Sequence, residues 1–130
     1  LSGNQERQVF CPDENLKRRL IEKEELLLDN GKRSDRKLVR SIVADGCMEI
    51  DGKGRKSYKA SNDLDAVDGV LYITEDSSEL RAVSDDTVLM VYEAVQVRKN
   101  TRTKANCSSL WNNAEGEWKL VFSQRTILEE

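Results

Sequence analysis

Residues 107–126 read CSSLWNNAEGEWKLVFSQRT, two strand-like runs on either side of Asn113-Ala114-Glu115-Gly116. Asn and Gly between runs rich in Trp, Val, Leu and Phe are turn chemistry between paired strands. With Asn113 to Gly116 as the loop, Trp111 falls opposite Trp118, Ser109 opposite Leu120 and Cys107 opposite Phe122. One face of this hairpin then carries both tryptophans and has to be covered. Gln124 shares the face of Trp118 and Phe122 in this register, which aims an amide at an apolar interior. There it needs a partner: another side chain, a water or a ligand.

Working outward, the preceding run Thr87 to Lys99 is apolar on both sides, with Val88, Met90 and Ala94 against Leu89, Val91, Val95 and Val97. A half-exposed antiparallel strand alternates, so both faces of this one are expected to be covered. Breaks at Asp85-Asp86, Asn100-Thr101 and Asn113 to Gly116 divide the chain after Val70 into three or four long strands of an antiparallel meander. Upstream, Cys47 to Ile50 and Arg55 to Lys59 flank Asp51-Gly52-Lys53-Gly54, a glycine-bearing hairpin.

The first third has the other period. Pro12 suits a first helical turn, Asp13 and Glu14 suit its positive end, and Leu16, Leu20, Leu27 and Leu28 recur at three-to-four spacing until Gly31. Ser34 then offers an N-cap to a second helix carrying Leu38, Val39, Ile42 and Val43, closed by Asp45-Gly46. Ser61 to Val67 reads as a short third helix. The fold class is therefore α+β: about three helices packed on a sheet of four to six strands. The helices cover one sheet face, and a second copy of the chain is the economical cover for the other, giving a homodimer through the sheet. Residues 1–11 are polar and without period and read as a flexible lead to a single domain at 12–130.

Composition removes chemistry. The 130 residues contain no histidine, so no histidine relay, base or metal ligand exists. Cys11, Cys47 and Cys107 are odd in number and far apart, which argues against a zinc site and fits reduced, buried thiols in a reducing, cytoplasmic setting. The 21 basic and 24 acidic side chains alternate closely, and with only seven aromatics no basic, stacking face for nucleic acid emerges. The longest apolar runs fall far short of the roughly 20 residues that cross a bilayer. No phosphate loop, nucleophile elbow or paired-carboxylate cluster is present, so no cofactor or metal is expected.

The segments MEIDGKGR at 48–55, SSLW at 108–111 and EWKLVFSQRT at 117–126 resemble small bacterial SnoaL-like members of the nuclear transport factor 2-like superfamily. Their last hairpin runs S-S-[VL]-W and then W-[RK]-L-V-F-H-Q-x-T. The resemblance implies a cone: a curved sheet closed on one side by helices, with a pocket at its open end, in a homodimer. It also implies that relatives include isomerases and dehydratases acting on hydrophobic substrates. Two positions depart from the pattern, since the histidine before Gln124 is Ser123 here and the small residue after it is Arg125.

On this reading the ligand-binding candidates are Glu49, Tyr92, Ser109, Trp111, Trp118 and Gln124, lining a pocket for a small hydrophobic molecule. Glu49 is either a desolvated proton-transfer group or a rim acid paired with a base. Glu49 and Tyr58 are the catalytic candidates, a carboxylate base and a hydroxyl that would polarise a carbonyl. Trp111 and Trp118 are pocket wall or core. Three functions follow: a small-molecule-binding dimer, a non-catalytic association module with a protein partner, and an isomerase or dehydratase.

Overall fold

The computed structural model describes residues 12–59 and 69–128. Helix α1 spans Glu14–Leu28, α2 Asn30–Arg33 and α3 Arg36–Ile42. The strands are β1 (Val43–Ile50), β2 (Lys56–Lys59), β3 (Val70–Ile73), β4 (Glu79–Ser84), β5 (Thr87–Arg98), β6 (Thr101–Asn112) and β7 (Lys119–Ile127). The expected lead at 1–11 and the helix at Ser61 to Val67 lie outside the described residues.

Short acids set the helix ends. Asp13 Oδ1 accepts from the Leu16 N–H at 2.8 Å and starts α1. Pro12 therefore precedes the cap instead of occupying the first turn. Asp29, not Gly31, ends α1: its own N–H returns to Leu26 O while its carboxylate accepts from the Lys32 N–H at 3.1 Å and opens α2. Ser34 does not cap the next helix. Its hydroxyl donates back to Gly31 O at 2.9 Å, and Asp35 caps α3 by accepting from the Leu38 N–H.

Helix α3 runs straight into β1, so Asp45-Gly46 lies within a strand instead of closing a helix. Gly46 has φ of +75°, a left-handed conformation that suits glycine. There β1 bows away from β7: the parallel pairing jumps from Val43 opposite Leu120 to Met48 opposite Phe122. The β1–β2 hairpin forms as expected. Asp51 Oδ1 accepts from the N–H groups of Lys53 and Arg55, and the Asp51 N–H donates to Arg55 O.

The sheet is curved and unclosed. Its seven strands run in the order β2-β1-β7-β6-β5-β3, with β4 also paired to β5, and β1–β7 is its parallel pair. Strand β5 is long enough to pair with β4 along its first half and with β3 along its second. Val88, Met90, Tyr92 and Ala94 of β5 and Ala105, Cys107 and Trp111 of β6 turn to one face and join Leu16, Leu20 and Leu27 of α1 and Val39 and Ile42 of α3 in the core, with the polar Ser109 of β6 buried beside them. The opposite face presents Met48, Phe122, Leu110 and Leu89 in one row across four strands, all partly exposed. No described element covers that row.

The last hairpin differs from its expected register. Trp111 lies opposite Leu120 and Asn112 opposite Lys119, because the loop extends through Trp118. The loop is held by Asn113 N–H to Asp86 O at 2.7 Å and turns on Gly116 at φ +92°. Beyond it Val121 is an extra residue on β7, so Leu110 lies opposite Phe122, Ser109 opposite Ser123 and Cys107 opposite Arg125. A bulge of one residue exchanges the two faces of everything after it. Trp118 and Leu120 thus face the core, whereas Phe122 and Gln124 share the opposite face.

Candidate functional site

The stripe that docks α1 contains one residue that does not belong to an apolar face. Glu24 follows Leu16 and Leu20 at four-residue steps and is 3% exposed. Its carboxylate is met by the sheet: the Tyr92 hydroxyl donates to Oε1 at 2.8 Å and the Trp111 indole N–H to Oε2 at 3.0 Å, and the Ser109 side chain also hydrogen-bonds to it. Burial pushes the Glu24 carboxyl above its ordinary pKa, Glu49 adds to the rise, and the three hydrogen bonds pull the other way. Burial and the neighbouring Glu24 carry the Tyr92 hydroxyl well above its usual range.

Beside this cluster is a cavity of about 40 Å³. One water needs roughly 10–15 Å³ on this measure, so there is room for about three. The remaining interior is occupied by the protein's own side chains, Trp111 and Met90 among them, both fully buried. The cavity walls mix charged, polar and apolar groups: Glu24, Arg33, Glu49, Ser109, Ser123 and Arg125 line it together with Leu27, Leu28 and Leu120. The Val121 bulge turns Ser123 and Arg125 inward and Phe122 outward, so the strand delivers polar groups where an apolar wall was expected.

Each polar wall group has a traceable position. Glu49 lies opposite Ser123, Ser123 opposite Ser109, and Ser109 opposite Met90, one row across β1, β7, β6 and β5. Arg125, Cys107 and Tyr92 form the adjacent row. Arg33 is buried and donates to Leu27 O, satisfying a carbonyl that the end of α1 leaves open. Arg125 Nε is buried and has no hydrogen-bond partner among the described residues. The thiols on the wall are inert: burial, with Glu49 and Glu24 adding to it, raises Cys47 to about 12, and burial raises Cys107 to about 11.

Of the sequence candidates, Glu49, Tyr92, Ser109 and Gln124 border the cavity. Trp111 sits behind it as a donor to Glu24. Trp118 is buried in the core and is not part of the wall. Gln124 touches the rim, but its amide N–H donates to Ser108 Oγ at 2.7 Å and its carbonyl accepts from the Thr126 hydroxyl at 2.9 Å. Its polar groups are satisfied on the outer side, again because of the bulge. Tyr58 does not join the site. It lies opposite Met48 on the edge strand, is 67% exposed and has the Lys56 ammonium 5.9 Å from its ring centroid. Pairing with Met48 puts it on the face opposite Glu49, so this tyrosine cannot supply a hydroxyl to the cavity.

Sequence reading missed Glu24, Arg33 and, as cavity groups, Ser123 and Arg125. The signal for Glu24 was an acid on the leucine stripe, and that for Ser123 and Arg125 was their departure from the family pattern. Arg33 carried no signal, since it lies in a basic, turn-like stretch. Among the described residues no cluster of three or more Cys, Asp or Glu side chains is placed to hold a metal ion, and no described helix is long and apolar enough to cross a membrane.

No protein-family model and no curated protein matches the chain. Solved structures do. An NTF2-like protein from Cytophaga hutchinsonii superposes with a TM-score of 0.63 at 16% identity, covering 86% of this chain and 98% of its own. The hub homology domain of a CaMKII from Chlamydomonas reinhardtii gives 0.62 at 13% identity, with 87% and 98% covered. The association domain of Caenorhabditis elegans CaMKII gives 0.59 at 13% identity, with 85% and 95% covered. At these identities the likeness is one of fold.

Proposed function

Starting from an NTF2-like fold whose interior is nearly filled, we propose that residues 12–130 form one folded unit that assembles as a homodimer and binds a small polar molecule in its cavity. The observation that carries this reading is the convergence of Arg125, Arg33, Glu49, Ser109 and Ser123 on one small space inside the sheet. Ionisable groups are costly to bury, and a wall made of them is selected for what it contacts rather than for stability. The ligand is therefore smaller and more polar than the hydrophobic molecule expected from family resemblance. Homodimerisation is supported by the row Met48, Phe122, Leu110 and Leu89, which leaves apolar surface half-exposed across four strands.

Native mass spectrometry of freshly purified protein tests both parts. A dimer carrying an added mass below about 150 Da is expected, and a monomer would remove the dimer. Trp111 is bonded into the cluster at the cavity, so its fluorescence reports occupancy. A screen of small polar compounds without a saturable response would remove the ligand.

A second reading is an association module that holds no ligand and binds another protein. It is favoured by the same uncovered apolar row and by the likeness to a hub and an association domain. Recovery of the tagged chain alone from its native lysate would count against it.

A further inference from the structure

We infer that the sheet face turned away from the helices is self-complementary in one register, and takes a second copy of this chain with the twofold axis running along the strands. The inference rests on the proposed homodimer and specifies how the two copies sit. Two adjacent rows on that face carry it, each running across six strands from β2 to β4. The first reads Tyr58, Met48, Phe122, Leu110, Leu89 and Arg81. The second reads Lys56, Ile50, Gln124, Ser108, Val91 and Glu79. The middle residues of both rows are partly exposed and the four end residues are exposed.

Each row is the complement of its own reversal. An axis along the strands lays each row on the same row of the second copy, end for end. Phe122 then meets Leu110 of the second copy and Met48 meets Leu89, so the apolar middle is covered by apolar groups. In the other row Ile50 meets Val91 and Gln124 meets Ser108. Within its own copy the Gln124 amide already donates to Ser108 Oγ at 2.7 Å and accepts from the Thr126 hydroxyl at 2.9 Å, so it is covered with its hydrogen bonds made. At the ends the Lys56 ammonium meets the Glu79 carboxylate, and the Tyr58 ring meets the Arg81 guanidinium. Glu79 lies 3.3 Å from Arg81 in its own copy, so the β4 end offers an acid and a base side by side, each opposite its complement. The other twofold arrangements match less well. An axis along the first row stacks Arg81 on Arg81, which sets like charges together. An axis between the rows lays Phe122 and Leu110 on Gln124 and Ser108, and the apolar middle loses its apolar cover. A sheet that curves around its core meets a copy of itself most closely along the middle, and the long side chains of Lys56, Tyr58 and Arg81 stand where the gap widens. Because both copies use the same patch, the contact consumes the face, and assembly through it stops at two.

The test mixes two charge-reversed full-length chains, Lys56→Glu and Glu79→Lys, one of them 15N-labelled, and counts the species by native mass spectrometry at low ionic strength. Alone, each variant sets like charges together at both ends of its dimer, and its dissociation constant is expected to rise about tenfold or more. In the mixture both end contacts become Glu on Lys again. The heterodimer is therefore expected to outnumber either homodimer by about tenfold, beyond the roughly twofold excess of random pairing. Circular dichroism of each variant is expected to match the native chain, since both positions are exposed. A native dimer whose variants pair at random in the mixture, or stay monomeric there, overturns the register and leaves the homodimer standing. A monomeric native chain removes both.

Discussion

Replacing Glu24 tests how the helical layer is fastened to the sheet. In Glu24→Leu the stripe of α1 becomes wholly apolar, but the Tyr92 hydroxyl, the Trp111 indole N–H and the Ser109 hydroxyl lose their common acceptor. A buried donor left unpaired costs about 1–3 kcal/mol. Three such donors, less the relief of no longer burying a carboxyl, come to about 3–6 kcal/mol. That is a large share of the roughly 6–20 kcal/mol available to a chain of this length. With a urea slope of about 2 kcal/mol/M, the midpoint falls by about 1.5–3 M. Glu24→Gln behaves differently. The amide oxygen accepts from Trp111, which can only donate, and the NH₂ faces Tyr92, whose hydroxyl turns to accept, so the loss stays within about 1 kcal/mol.

The pH dependence separates the two variants further. The folded carboxyl has its pKa raised by burial, so its contribution is fully present below the ordinary glutamate range and is lost as pH rises through the elevated folded value. Urea denaturation followed by tryptophan fluorescence at several pH values should therefore show native stability falling as pH rises over that window, with this part of the slope absent in Glu24→Gln. Tyr92→Phe should cost about 1 kcal/mol in the native chain but recover about 1–3 kcal/mol in the Glu24→Leu background, where it removes an orphaned hydroxyl. A Glu24→Leu protein as stable as the native one, or a Glu24→Gln protein with an unchanged pH profile, refutes the reasoning.

Gly69→Ala should lower stability by at least about 1–2 kcal/mol in the same denaturation assay, because the glycine sits at φ +74° and a Cβ would lie 2.4 Å from the Val97 carbonyl oxygen. In a Cys11→Ala background, Cys47 and Cys107 should be unreactive toward a disulfide reagent at pH 8 and react fully in urea, since burial holds their pKa values near 12 and 11. Rapid labelling of the folded protein would contradict their assignment as inert wall groups. Leu110→Glu places a charge in the middle of the uncovered row, and sedimentation should show the dimer replaced by monomer with native circular dichroism. An unchanged dimer would move the interface elsewhere.

The fold was legible because its signals are local. Leucines at three-to-four spacing marked α1, and Asp51-Gly52-Lys53-Gly54 marked the first hairpin. The two-sided apolar pattern of Thr87 to Lys99 marked β5 as an interior strand, which pairs with β6 on one side and with β3 and β4 on the other. Helix ends were less legible, since Ser34 and Asp35 are adjacent and both cap-competent, and only the carboxylate takes the Leu38 N–H. The parallel partnership of β1 and β7 had no local signal, because it joins segments some seventy residues apart. The site was half legible. Glu49, Tyr92 and Ser109 were found by alternation, but Gln124 and the facing tryptophans depended on an unbroken count along β7, and one unpaired residue at Val121 was enough to invert it. Glu24 was overlooked because its apolar neighbours were read as a complete stripe.

That bulge gives the last strand two possible readings of the same text. In its present phase Ser123 and Arg125 are read by the interior and Phe122 and Gln124 by the exterior. Removing one residue at Val121 would shift the frame, handing the cavity an aromatic ring and an amide while exposing a serine and an arginine on the outer face. Chain length at a single position, with no change of side chain, thus selects between a charged pocket with a greasy outer surface and a greasy pocket with a charged one. Pocket chemistry and the character of the outer face on this strand are for that reason inherited together, and a lineage could exchange both in one deletion.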